Sequence, residues 1–155
     1  MITPNDIMDR IAELVAEKFP GEDIHRELCP QGFTRPCTLI VQDECNCNVG
    51  FGPDIVELTP VFTLTTFVQV DEYHHSHLAG MHQRQMALAG LFLPGYLKVG
   101  DRAPKVTGLK MAGGYDYDTV TVTFSLTLSR SDFEIIEQRP VMEQLHLRQE
   151  ATTYG

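Results

Sequence analysis

The sequence lacks several features that would assign it at once to a class of protein. It has no run of about 18 apolar residues, so no transmembrane helix is expected. Its first residues lack the basic-then-apolar layout of a signal peptide, so we expect a cytoplasmic product. It contains no G-x-S-x-G elbow, no P-loop and no G-x-G-x-x-G fingerprint. No motif in the sequence combines a nucleophile, a base and an orienting group. We therefore expect no catalytic residues and no cofactor, and we do not expect an enzyme.

Basic residues are also scarce. The chain carries 12 Lys and Arg against 21 Asp and Glu, a formal charge of −9. This balance argues against a protein that grips the phosphates of nucleic acid. It is compatible with a protein that lets nucleic acid pass without binding it, and equally with an acidic surface that only keeps the chain in solution.

The four cysteines lack the paired C-x2-C spacing of zinc knuckles. They are Cys29, Cys37, Cys45 and Cys47, separated by seven residues, seven residues and one residue. Cys37 begins an apolar strand, where a cysteine usually behaves as a small buried hydrophobe. The sequence therefore predicts reduced thiols and no zinc site. His25, alone on a short strand, is predicted to face solvent or to be hydrogen-bonded.

One histidine run resembles a metal cluster: His74, His75 and His77, with His82 further on. No H-E-x-x-H pattern completes a site, and a polar linker before a helix explains the run as well. We therefore assign no metal site, and His74, His75 and His77 are only weak candidates for metal ligands. The acidic pairs Asp71/Glu72 and Asp116/Asp118 lie beside tyrosines on predicted turns and are interpreted as solvated.

What the sequence does have is one long strand with a strict period of two. Its apolar residues, Val120, Val122, Phe124, Leu126 and Leu128, point one way. Its hydroxyl residues, Thr119, Thr121, Thr123, Ser125, Thr127 and Ser129, point the other way. The apolar side needs a cover, which two amphipathic helices can supply. The hydroxyl side is either plain surface or a contact surface, and Thr119, Thr121, Thr123, Ser125 and Thr127 are our candidate interface residues.

The two helices are visible in the spacing of apolar residues. Thr3-Pro4-Asn5-Asp6 predicts a capped helix start, and Pro20-Gly21 ends that helix. A second helix is predicted from Leu78 to about Phe92. Strands are predicted at 23–28, 37–42, 55–70, 96–99, 105–111 and 119–130, with an irregular loop at 43–53.

Together these elements predict an α+β fold with a mostly antiparallel sheet and two helices on one face, in the order α-β-β-β-α-β-β-β. With 43% hydrophobic and 21% charged residues the composition is that of an ordinary globule. We expect a single domain at 1–132 and a C-terminal extension at 133–155.

The segment Gln31-Gly32-Phe33-Thr34-Arg35-Pro36-Cys37-Thr38-Leu39-Ile40 resembles a pattern found in one family. A helix ending in Phe-Pro, a polar strand and then Q-G-F-x-x-P-C entering an apolar strand is similar to the small tail terminator proteins of tailed phages and phage tail-like particles. The order of elements agrees over roughly Met1 to Arg130.

The resemblance implies a structural virion protein of the tail or neck, assembled in the host cytoplasm. Such proteins form hexameric rings that stop polymerisation of the tail tube and provide the surface to which the head joins. The implied partners are copies of the chain itself, the tail tube protein and a neck or head-completion protein, with the sheath as a further candidate. DNA would pass through the pore without specific binding, and no membrane is involved.

Two other interpretations stay open at this point. One is another connector or completion protein of the same neck or tail. The other is a small metal-binding module or enzyme that uses the histidine run.

Overall fold

A five-stranded mixed sheet carries two helices on one of its faces. This computed structural model describes residues 2–50, 52–68, 78–114 and 116–132. In chain order the elements are α1 (Pro4–Lys18), β1 (Asp23–Arg26), β2 (Cys37–Asn48), β3 (Ile55–Phe67), α2 (Leu78–Gly90), β4 (Lys105–Gly113) and β5 (Asp118–Ser129). The predicted α+β class is confirmed. The expected extension at 133–155 lies outside the described residues.

Helix α1 begins where its capping residues predict. The Thr3 hydroxyl accepts a hydrogen bond from the backbone N–H of Asp6, and the Asp6 carboxylate accepts one from the N–H of Thr3 at 2.8 Å. This reciprocal capping box satisfies two backbone donors that the first helical turn leaves unpaired. Pro4 occupies the first turn, where its missing N–H costs nothing.

The sheet has the strand order β1-β2-β3-β5-β4. Only β1 and β2 run parallel, and the pairs β2/β3, β3/β5 and β5/β4 are antiparallel. The sequence predicts β4 and β5 as antiparallel neighbours, and this is confirmed. The two edge strands are β1, which has four residues, and β4, which has nine.

The core lies between the helices and the even-numbered residues of β3 and β5. Phe62 and Phe124 are fully buried with their ring centroids 6.0 Å apart, and Phe92 packs at 6.0 Å on Phe124. From α1, Ile7 and Ile11 fill the same cluster. The predicted apolar side of β5 is therefore the side that the helices cover.

Two strand predictions were wrong. Residues 96–99 form only single bridges, from Tyr96 to Lys105 and from Val99 to Arg102, so the predicted strand before β4 is absent from the described sheet. β2 runs six residues further than predicted, to Asn48. A β-bulge at Asp43 shifts the register by one residue after Gln42, and pairing with β3 then overrides the weak local propensity of the following residues.

Within the described ranges, neither helix combines the length and the apolar character needed to cross a bilayer. Helix α1 has 15 residues and α2 has 13, so both are shorter than the roughly 18 residues that a membrane span requires.

The turn between β4 and β5 requires a glycine at position 114. A Cβ there would lie 2.7 Å from the Tyr117 carbonyl oxygen, an atom that already accepts the Gly114 N–H at 2.7 Å. We expect Gly114→Ala to lower the free energy of unfolding by about 1–3 kcal/mol in urea denaturation, because backbone must move to admit the methyl group.

The matched control for this substitution is Gly90→Ala at the end of α2. A Cβ at Gly90 meets no atom within 4 Å, so the gain in helix propensity should leave stability unchanged or raise it by up to about 1 kcal/mol. Equal stability of the two variants would contradict the proposed role of the turn.

Candidate interaction surface

The sheet face turned away from the helices has no layer of secondary structure over it among the described residues. We call it the open face. It consists of the odd-numbered residues of β3 and β5, together with the residues of β2 and β4 that pair with them. The alternation along β3 and β5 is strict: even positions are buried, and odd positions are half-buried or exposed.

All five predicted interface residues lie on the open face. Thr119, Thr121, Thr123 and Ser125 are half-buried between neighbouring side chains of the sheet, and Thr127 is exposed. Their strand, β5, is flanked by β3 on one side and by the edge strand β4 on the other. The structure thus brings them together in one row, as the period of two predicts.

Hydrogen bonds already organise parts of this row. The Thr121 and Thr63 hydroxyls lie 3.3 Å apart, and Ser125 donates to a Glu57 carboxylate oxygen at 2.8 Å. The Thr63 hydroxyl also donates to the carboxylate of Asp43, the bulge residue of β2. The hydroxyl groups are therefore held in defined orientations, which lowers the entropy lost when a partner binds them.

Charge is segregated across the open face. Lys105 and Lys110 pair with Ser125 and Thr121, so exposed lysines line the β4 side. Asp43 and Glu44 are exposed on β2 at the opposite side, with Glu57 between. This charge pattern is not visible in the sequence, because it depends on the order of strands in the sheet and not only on the alternation along each strand.

One end of the open face is covered by the loop between β1 and β2. The Phe33 and Phe67 rings pack in a tilted arrangement with centroids 4.8 Å apart. The Arg35 guanidinium carbon lies 5.2 Å from the Phe33 centroid and 5.3 Å from that of Phe67. Arg35 also donates to the Val68 carbonyl at 3.3 Å. These contacts fix the Q-G-F-x-x-P-C segment on the sheet.

Three side chains that were not predicted to be neighbours lie close together at the base of this loop. Potential ligand atoms of His25, Cys29 and Cys37 all lie within 4.8 Å of one another. Cys37 is fully buried, and burial, followed by the neighbouring Cys29, raises the pKa of its thiol to about 11. His25 departs from expectation: its Nε2 is buried and has no hydrogen-bond partner among the described residues.

The other two cysteines lie elsewhere. The bulge at Asp43 turns Cys45 toward the core cluster, and burial raises the pKa of its thiol. Cys47 is exposed. The candidate ligands His74, His75 and His77 lie outside the described residues, and so does the pair Asp71/Glu72.

Polar side chains of α2 attach this helix to the end of the sheet. His82 Nδ1 lies 2.6 Å from Asp118, whose side chain is completely buried, so the interpretation of Asp118 as a solvated turn residue was wrong. Gln85 Nε2 donates to the carbonyls of Ala112 and Thr119 at 2.9 and 3.0 Å. The period of two places Asp118 on the apolar side of β5, a signal that the adjacent tyrosine and turn residues obscured.

The fold and this surface define a two-layer α+β protein whose sheet is covered on one side by helices. A scan against protein-family models and a search of curated proteins both return no match.

Proposed function

We propose that the chain is a tail terminator, a structural subunit of a phage tail or tail-like particle that closes into a hexameric ring on the tail tube. The ring ends tube polymerisation and offers the surface to which the neck and head join. The observation that carries the proposal is the open face: a row of ordered hydroxyls between a basic and an acidic side.

A ring needs a heterologous interface, in which two different surfaces of each subunit complement each other. Lysines on the β4 side and carboxylates on the β2 side supply opposite charges at separate places on one face. In a head-to-tail arrangement, the basic side of one copy meets the acidic side of the next. Charge complementarity of this kind selects the correct orientation of subunits more than it adds affinity.

Two further features support the same role. The segment Gln31–Ile40, which carries the resemblance, forms the loop that packs on Phe67 and the first residues of β2. The formal charge of −9 per chain gives a ring a net negative charge, and if part of that charge lines the pore, DNA passes without being held.

Native mass spectrometry tests the ring directly. At high protein concentration, or after addition of tail tube protein, we expect a species near six times the chain mass of 17.4 kDa. A chain that stays monomeric in both conditions contradicts the proposal and favours a monomeric binding module.

Charge reversal tests the head-to-tail interface. We expect Lys110→Glu and Glu44→Lys each to weaken ring formation by about tenfold or more, because each places like charges at every contact. The double variant should recover assembly, since each contact again joins opposite charges. β4 and β2 are separated by three strand spacings, about 14 Å, so the two side chains interact only weakly within one subunit at physiological salt.

The matched control is Gln83→Glu, an exposed residue on α2 and therefore on the helix side of the sheet. It changes charge without touching the open face, and assembly should stay at the level of the unmodified chain. If the double variant assembles no better than either single variant, the head-to-tail pairing of these two sides is wrong.

Deletion of the gene separates a terminator from another connector or completion protein of the same particle. Loss of a terminator leaves tube polymerisation unchecked, so electron microscopy should show tails of excess and variable length. Tails of normal length that lack heads would favour the connector.

A further inference from the structure

We propose that His25, Cys29 and Cys37 form a binding site for one zinc ion, which fastens the loop between β1 and β2 to the sheet. The site is independent of the ring, because all three ligands belong to one subunit. Its three ligands come from a strand, a loop and a second strand, and their potential ligand atoms lie within 4.8 Å of one another.

The separation of the three groups is close to what zinc requires. With Zn–S near 2.3 Å and Zn–N near 2.0–2.1 Å, tetrahedral geometry places neighbouring ligand atoms about 3.5–3.8 Å apart. To bind one ion, the potential ligand atoms must therefore approach one another by up to about 1 Å. Cys29 can move most easily, because it lies on the loop, whereas the other two residues lie on β1 and β2.

The register of the sheet explains why the groups converge. β1 and β2 are parallel, with Asp23 opposite Cys37 and His25 opposite Leu39, so His25 and Cys37 leave neighbouring strands on the same face. The chain then returns from β1 through Cys29-Pro30 and enters β2 through Pro36-Cys37. The two cysteines therefore stand at the two ends of the loop.

The buried imidazole nitrogen is the second observation that favours a ligand here. His25 Nε2 is excluded from solvent and has no hydrogen-bond partner within the described part of the chain. A buried polar atom without a partner destabilises the folded protein, and a metal ion bound to it would remove that penalty. Neutral imidazole and thiolate are the ligands that zinc prefers in proteins.

The charges around the cluster suit a divalent cation held by two thiolates. Zinc, two thiolates and a neutral imidazole sum to zero, so the occupied site adds no net charge to a buried position. Burial, followed by Cys29, raises the pKa of the Cys37 thiol, while Arg35 and Arg84 act in the opposite direction, so zinc displaces the thiol proton as it binds. Three protein ligands leave the fourth position of the ion to water.

Zinc at this place braces the loop that covers one end of the open face. Phe33 and Arg35, the residues that pack on Phe67, lie between the two cysteine ligands. The bound ion would shorten the free length of the loop and hold its base against β1. The segment that carries the resemblance thereby gains a fixed position.

Metal titration of tag-free, reduced protein tests the site. The protein should carry His74→Ala, His75→Ala and His77→Ala, so that the histidine run cannot compete. We expect one zinc per chain by elemental mass spectrometry, and cobalt should give the thiolate-to-metal charge-transfer absorption of cysteine ligation. At a hundredfold excess over the dissociation constant, zinc should raise Tm by about 5–10 °C.

The remaining cysteines provide the control. Cys29→Ser and His25→Gln should each weaken zinc binding by at least about tenfold, while Cys45→Ser with Cys47→Ser should leave it unchanged. Both test substitutions fall on half-buried residues, which limits the risk of misfolding. Equal binding by Cys29→Ser and the control, absence of the cobalt–thiolate absorption, or a Cys29–Cys37 disulfide in the purified protein would each overturn the proposal.

Discussion

Phe124→Ala should lower the free energy of unfolding by about 3–5 kcal/mol, the largest loss we expect from any single substitution in this chain. The Phe124 side chain is fully buried and lies at the centre of the core, 6.0 Å from the rings of both Phe62 and Phe92. Truncation removes apolar contacts with β3 and with the segment after α2 together, and rigid strands limit collapse of the cavity.

The adjacent residue is the matched control. Thr123 lies half-buried on the open face, opposite Gly108 of the edge strand β4, a residue that offers it no side chain to pack against. Because its truncation removes only a hydroxyl and a methyl group from this face, Thr123→Ala should cost under about 1 kcal/mol. Chemical denaturation of both variants measures the difference. Similar losses at the two positions would contradict the assignment of faces along β5.

Glu22 and Arg84 form an ion pair, and removal of either partner should lower the free energy of unfolding strongly. Their charged atoms lie 2.8 Å apart, and the side chains are only 17% and 14% exposed. Arg84 also donates to the Thr66 hydroxyl at 2.8 Å and stacks at 4.1 Å over the Phe19 ring. Removal of either partner leaves the other nearly buried and without its counter-charge, so Glu22→Leu and Arg84→Met should each cost about 2–4 kcal/mol.

The double variant Glu22→Leu/Arg84→Met tests whether this ion pair behaves as a buried pair or as a solvent-exposed one. Two apolar side chains of similar volume leave no uncompensated charge, so the combined loss should be clearly smaller than the sum of the single losses. The exposed pair Arg10/Glu13 is the control, and its double-mutant cycle should give a coupling below about 0.5 kcal/mol. Additive losses at Glu22 and Arg84 would show that solvent already screens this pair.

Local sequence was sufficient for elements whose stability is itself local. The capping box of α1 joins residues three positions apart, and its hydrogen bonds need no other part of the chain. The alternation along β5 likewise identifies its buried side, because a slip of one residue would expose every apolar group. The order of the predicted elements gives the fold class, and the alternation along β5 places the candidate interface on a single face.

The sequence-based predictions were wrong where contacts with residues distant in the sequence decide the local structure. Residues 43–48 look irregular, yet they extend β2 because β3 offers them backbone hydrogen bonds after the bulge at Asp43. Asp118 looks like a turn residue, yet α2 covers it and supplies His82 as its partner. Propensity is a weak guide in both places, since pairing and burial contribute more free energy than local preference.

By itself, the sequence determined the hydroxyl row of β5 and the side of β5 that enters the core, because both follow from a period of two. Only the tertiary structure decided which residues of other strands lie beside that row. The strand order separates the lysines of β4 from the carboxylates of β2, and the parallel pairing of β1 with β2 brings His25 to Cys29 and Cys37. Such neighbours are set by strand pairing across the chain, which no local spacing encodes.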